Sequence, residues 1–365
     1  MKFEARFVVE THAHITTLYQ PAGKKSLELE RKGLWNGLNG ELVPFDNSPL
    51  TLYDMERYGV DMCILKPSIT GSTNEMQAML VDKYPNKFRA MCSDQKQKIK
   101  MWREEVEFNL NDSVDEVEAA LKTGKYVGIG EFVPGGMLCR RTRLPDAEQR
   151  FAEFCPFMEL ARKYEVTIDY HEGSIPYTWD VFRLLARLAM AYPDVPIILC
   201  HGGGHDPTIV KRACGVAGRA SNVYLETGSW MPDLYAMALN DPNVGASQLI
   251  WGHDYGNVPQ YMTRPQPEGS SAERPPYFMK RWRKVPTYQV DFWGWSLRQI
   301  QKISDWVTQD EINLILGGNA ARLFKLPVPY PRMFPEGRPD IWGIGWEETV
   351  PFLPDSQIQN PDPKS

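Results

Sequence analysis

The sequence predicts an α/β fold, a (β/α)8 TIM barrel with long loops after strands 1 and 8 and a C-terminal tail. Three observations predict it. Eight short apolar runs have strand-like composition, amphipathic stretches separate most of them, and the histidines fall at or just after the ends of those runs. A barrel draws its ligand-binding residues from the carboxyl ends of many strands. A doubly wound open sheet, the alternative architecture, concentrates them on one or two loops at a switch point. Unusual residues spread over many strand ends favour the barrel.

The strand runs, in order, are "FVVETH" from Phe7, "VDMCILKP" from Val60, "FRAMCS" from Phe88 and "YVGIGEF" from Tyr126. They continue with "VTIDYHE" from Val166, "VPIILCHGG" from Val195, "NVYLETG" from Asn222 and "LIWGHDYG" from Leu249. Helical patterns lie between, such as "PDAEQRFAEFCPFMELARKYE" and "TWDVFRLLARLAMAYPD". In the second, Val181, Leu184, Leu185, Leu188 and Ala189 recur at helical spacing. Strand runs alternating with such patterns are βα units. One barrel domain over residues 1–326 is expected, with lid-like insertions at 15–50 and 255–294 and a Pro- and Trp-rich tail or arm at 327–365. Long loops at the strand carboxyl ends lie where barrels keep their sites.

With 365 residues, 42% of them hydrophobic, the chain can build a core of good size. Its net charge of −5, without long charged blocks, argues against nucleic-acid binding, which wants a basic surface. No apolar run reaches the length of a membrane span. The start, "MKFEARFVVE", lacks the apolar core of a signal peptide, so a cytoplasmic location is expected. The six cysteines form no CxxC pair and read as buried free thiols. The expected partners are a small-molecule substrate and, through the tail, further copies or another chain.

Side chains two apart on a strand point the same way, so His12 and His14 share a face at the barrel mouth. His171 ends the fifth run, His201 the sixth, and His253 with Asp254 the eighth; Glu131 closes the fourth. Imidazoles and carboxylates converging in one mouth are ligands for zinc, manganese or iron. His205 has two readings: a further ligand, or a residue at a helix start, since Asp206 and Pro207 suit the N-cap and first helical position. Glu131 reads as a ligand or as a mouth carboxylate paired with an arginine. The glycines of "HGGGH" lack phosphate-loop spacing and suit close backbone approach instead. Lys66 reads equally as an anchor for a substrate carboxylate and as an ordinary rim lysine. Lys66, Trp230 and Arg264 are the candidate substrate-binding residues.

At these motifs the chain resembles the amidohydrolase superfamily, in its amidohydrolase-related branch. That branch includes aminocarboxymuconate-semialdehyde decarboxylase and various hydrolases and lactonases. The matching stretches are "ETHAH", "DYHEG", "LCHGGG", "WGHDYG" and the closing "LILGGNAARLFKL", which together run from residue 10 to 326. The resemblance implies that His12, His14, His171 and Asp254 bind a divalent metal, zinc foremost with manganese and iron as alternatives. It implies one or two ions per chain. His201 becomes a catalytic acid/base or a ligand to a second ion, and Asp254 also the base that activates water. Several superfamily members carry a bridging carboxylate or modified lysine at the position of Glu131. Glu10 is expected behind the ligands, although some decarboxylases of the branch use a Glu-x-His pair.

Hydrolysis of a small carboxylate-bearing or aromatic substrate ranks first among the implied activities. Non-oxidative decarboxylation and oxygen activation at a dinuclear iron or manganese–iron site (a monooxygenase) are the alternatives. "HGGG" is closer to the hydrolase and muconate-decarboxylase groups than to the aryl-acid decarboxylases, whose stretch tends to read His-x-Gly-Glu. A non-catalytic partner subunit ranks last, because every ligand position is filled.

Overall fold

The computed structural model describes residues 7–19, 43–46, 48–67, 73–102, 105–135, 145–171, 180–204, 206–255 and 292–327. Ten strands run in chain order: β1 (Val9–Ala13), β2 (Thr16–Tyr19), β3 (Val43–Asp46), β4 (Met62–Leu65), β5 (Phe88–Cys92), β6 (Tyr126–Phe132), β7 (Thr167–Tyr170), β8 (Ile197–Leu199), β9 (Val223–Glu226) and β10 (Leu249–Ile250). Eight of them form one parallel sheet in the order β1-β4-β5-β6-β7-β8-β9-β10, with helices between them. These eight are the runs expected from sequence. β2 and β3 pair antiparallel, Thr16 opposite Asp46, so the expected loop at 15–50 begins and ends as a hairpin. The rest of that loop, most of the insertion at 255–294 and the tail from 328 lie outside the described residues.

Local chemistry explains the helices. Asp180 caps Val181–Ala191 by accepting from the Phe182 and Arg183 amides, and Leu184, Leu185, Leu188 and Ala189 are buried as the spacing predicts. Asp206 and Pro207 start Pro207–Ala217 in the expected way. The predicted helix of the fourth unit, Ala147–Tyr164, opens on a capping box between Asp146 and Gln149. Among the described residues no helix is long and apolar enough to cross a membrane.

The strands set a layered interior. Val9, Met62, Ile64, Met91, Ile198, Tyr224 and Ile250 form an apolar cluster, closed by Ala320, Leu323, Phe324 and Leu326. Two residues further along their strands come Lys66, Cys200 and Glu226, from Ile64, Ile198 and Tyr224 respectively, all buried. The interior thus changes from hydrocarbon to charge on the way to the mouth. Cys63, Cys92 and Cys200 are buried free thiols, as expected.

The sheet closes at a seam between β1 and the chain after β10. Past Ile250 the backbone leaves regular strand geometry, yet it still bonds to β1. The Thr11 amide donates to the Trp251 carbonyl at 3.1 Å, the Tyr255 amide to His12 at 2.8 Å and the His14 amide to Tyr255 at 2.7 Å. Glu10 straddles this seam. Its carboxylate accepts from the His12 amide at 2.7 Å, the His253 amide at 2.8 Å and the Trp293 indole at 2.6 Å. Gly228 and Gly252 touch above β9 and β10, where a Cβ on Gly228 would lie 2.0 Å from the Gly252 carbonyl oxygen.

The "GGNAARLF" stretch seals the same region. Asn319 is buried, and its amide donates to the Ala246 and Leu249 carbonyls at 2.8 Å each, tying the final helix to the start of β10. Asn319→Ala removes both buried bonds to the segment that starts β10. We expect it to lower stability by roughly 1–3 kcal/mol, read as an earlier urea midpoint at unchanged slope.

Candidate metal centre

β1 brings His12 and His14 to one place, with their Nε2 atoms 3.0 Å apart. The outer nitrogen of each ring meets an acceptor. His14 Nδ1 lies 3.0 Å from the Lys66 carbonyl oxygen, and His12 Nδ1 lies 2.6 Å from Glu226 Oε2. A carbonyl and a carboxylate only accept, so both Nδ1 atoms carry protons and both neutral rings aim an Nε2 lone pair inward.

A second imidazole pair faces the first. His171 follows β7 and His201 follows β8, and their Nε2 atoms are 2.9 Å apart. Glu131, near the end of β6, lies among all four rings. Its Oε1 is 2.5 Å from His171 Nε2 and 3.5 Å from His201 Nε2, while its Oε2 is 3.4 Å from His14 Nε2. Asp254 closes the first pair, with Oδ1 3.2 Å from His14 Nε2 and 3.6 Å from His12 Nε2.

Two inward lone pairs at 3 Å repel unless a proton or a cation lies between them. The charges around the pair favour a proton on His14. Burial works against a charged His14, but Asp254 and Glu131 outweigh it and raise its pKa to about 10. Burial likewise disfavours an ionised Glu131, yet His171, His14 and His201 hold it well below the usual carboxylate range. Burial lowers His12 to about 4, so that ring stays neutral. A cation would substitute for the proton. His12, His14 and Asp254 offer donor atoms within 4.8 Å of one another, as do His12, Glu131 and His201. Imidazole nitrogen and carboxylate oxygen at this spacing fit a divalent ion of the zinc, manganese or iron kind.

The site is strained where it is most open. His201 and Asp254 both have left-handed backbone, at φ +58° and +57°. Their side chains are also the most accessible of the set, at 26% and 22%, against 7% or less for the other four. An incoming molecule therefore meets these two first. Gly202 explains the tight turn at His201: its φ is +53°, and a Cβ there would lie 2.4 Å from the Glu226 carbonyl oxygen. The glycines thus bring the chain close to the protein's own backbone at β9, at the position next to a ligand candidate.

The structure brings together His12, His14, His171, His201, Glu131 and Asp254. His205 and Arg264 lie outside the described residues. Trp230 is fully buried behind the His201 turn, beside Gly202. Lys66 is not at the rim: it is fully buried, and its ammonium is paired with Asp169 and, at 2.7 Å, with Glu226. Glu10 turns to the seam rather than to the histidines, so the Glu-x-His option is not the arrangement seen. His253, expected on the opposite face from Asp254 of a regular strand, follows an irregular one.

Sequence reasoning missed Glu226 and Asp169. The signal was present for Glu226, since it ends the seventh strand run as Glu131 nearly ends the fourth. Asp169 sits two residues before His171 and shares its inward register.

Metal-stripped protein should gain thermal stability when zinc or cobalt is added, by about 2.7 kcal/mol at a free concentration of 100 Kd. Calorimetry should show that gain lost in His12→Ala and His14→Ala.

Comparisons with known proteins follow the same lines. A search of curated protein sequences found no match. Among solved structures the chain is similar to 4-oxalomesaconate hydratase from Rhodopseudomonas palustris, at 16% identity and TM-score 0.51, covering 87% of this chain and 96% of that one. It is also similar to an amidohydrolase from Burkholderia multivorans, at 12% identity and TM-score 0.49 over 88% and 100% of the two chains. A third is the phosphotriesterase homology protein from Escherichia coli, at 11% identity and TM-score 0.48 over 88% and 100%. At these identities the first likeness shows the barrel fold, and no argument rests on the other two. The model of the Amidohydrolase family matches residues 10–326, from the seam carboxylate Glu10 to the final helix, and the chain belongs to that family.

Proposed function

We propose that this protein is a metal-dependent hydrolase with a dinuclear centre bridged by Glu131. The observation that carries the reading is the reach of that carboxylate across both pairs: Oε1 lies 2.5 and 3.5 Å from the Nε2 atoms of His171 and His201 and 3.8 Å from that of His12, and Oε2 lies 3.4 Å from that of His14. His12, His14 and Asp254 would hold one ion, and His171 and His201 the other. Divalent ions held there would supply Lewis acidity and lower the pKa of water to about 7.

The chain's own residues divide the remaining work. Asp254 stands at the open side, and its carboxylate is placed to take a proton from an attacking water. Burial alone would raise its pKa, but hydrogen bonding from His14 and the charges of His201 and His14 keep it low, so it is ionised and ready to accept. Glu226 holds His12 from behind and the His201 turn through its backbone amide, at 2.9 Å. The proposed substrate is a small carboxylate-bearing or aromatic molecule. Its support is the sequence of 255–294, where Arg264, Arg274, Arg281 and Arg283 accompany Tyr261, Tyr277, Phe278 and Trp282.

A second reading, an iron or manganese–iron oxygenase, is favoured by the same bridging carboxylate, because nitrogen and oxygen donors without thiolate suit those ions equally. Elemental analysis of protein purified without added metal separates the two. Two zinc ions per chain are expected for the hydrolase, and iron or manganese in the pair would favour oxygen activation. Glu131→Ala should reduce the count to one or none. A single ion whose retention ignores Glu131→Ala would overturn the bridged centre. With aryl esters and lactones as probes, Asp254→Asn should lower kcat by about 10²- to 10⁴-fold.

A further inference from the structure

We infer that Lys66 is a positioning residue for the metal centre, acting through Glu226 and through its own carbonyl. The inference rests on the metal reading of the histidines. It starts from the layer beneath the histidine pairs, one ammonium and two carboxylates, all with no exposure, of which only Glu226 has so far been given work.

Burying a lysine and two carboxylates costs several kcal/mol per ion, and purely apolar side chains would fill the space at less cost. The arrangement therefore wants a reason beyond packing. Lys66 directly follows β4, Asp169 lies in β7 and Glu226 ends β9, so the ammonium joins strands on opposite sides of the barrel. Lys66 Nζ bonds Glu226 Oε1 at 2.7 Å. That leaves Oε2 turned to His12 Nδ1 at 2.6 Å and to the His201 amide at 2.9 Å.

The Lys66 carbonyl takes the other histidine of β1. It lies 3.0 Å from His14 Nδ1 and also accepts from Gln77 Nε2 at 3.2 Å. One residue thus fixes the tautomer of both first-strand histidines, His14 by its main chain and His12 by way of Glu226. Partners of this kind behind metal-binding histidines are commonly worth 10- to 100-fold in metal affinity. Asp169 balances the remaining charge on the ammonium.

The test separates charge balance from positioning. Lys66→Met alone leaves two buried carboxylates without their shared cation and is expected to fold poorly. Lys66→Met with Asp169→Asn restores the layer's net charge, while Glu226 loses the donor that orients it. This double variant should keep the wild-type circular dichroism and bind cobalt(II) about 10- to 100-fold more weakly in chelator competition, with an altered d–d absorption spectrum. Wild-type cobalt affinity and spectrum in the folded double variant would overturn the inference. Should that variant not fold, Glu226→Gln, equal in volume, decides by the same two readouts. Unchanged affinity and spectrum there would also overturn it. Wild-type protein that takes up no cobalt is a different failure, because it removes the metal reading itself.

Discussion

Two imidazole nitrogens, His12 Nε2 and His14 Nε2, face each other at 3.0 Å with their outer nitrogens already committed to acceptors. Much of the rest of the molecule follows from holding that contact in place. Neutral rings so arranged need something positive between them. The nearby carboxylates, Asp254 and Glu131, provide negative charge that favours a proton on His14. The same charge would attract a divalent ion, whose binding would release that proton. Preorganisation and proton competition are thus two aspects of one geometry.

Holding such a group requires rigid attachment, and the fold provides it in layers. Hydrocarbon fills the lower barrel, a charged layer of Lys66, Asp169 and Glu226 lies above, and the imidazoles stand on top. The vulnerable place is the seam, because β10 is short and the chain beyond it is irregular. Glu10 repairs this with three donors drawn from both sides and from Trp293, and Asn319 anchors the other end of the short strand. Two residues of family-like motifs, the Glu of "ETHAH" and the Asn of "GGNAARLF", thus have structural work here. Both act on barrel closure rather than on the chemistry.

The strand order and the histidine constellation were legible in the sequence for a simple reason. Strand-end imidazoles are rare, and period-two alternation fixes their face once the strands are found. Charged residues in the interior were harder to read. Lys66 follows an apolar run and is coded like any rim lysine; only the barrel's closure, which sets Glu226 and Asp169 opposite it, makes it internal. Glu226 was overlooked because its role depends on His12, 214 positions away in the chain. Glu10 shares the period of His12 and His14 but not their role, since the register of β1 shifts between Glu10 and Ala13. A bulge of that kind leaves no mark in residue pattern.

The distribution of strain separates the candidate ligands into two kinds. His12 and Glu131 lie within their strands, and His14 and His171 directly follow theirs; all four are almost without exposure. His201 and Asp254 stand on left-handed backbone at the open side. Left-handed geometry costs a residue other than glycine about 1–3 kcal/mol and persists only where the surroundings overdetermine it. Here the determinants are visible: Glu226 grips the His201 amide, and Glu10 grips the His253 amide just before Asp254. A buried carboxylate thus holds the backbone at His201 and, one residue earlier, at His253 before Asp254, rather than either side chain. Both side chains stand at the open side while the backbone beneath them is fixed, the division of labour that the proposed water activation at an open mouth would require.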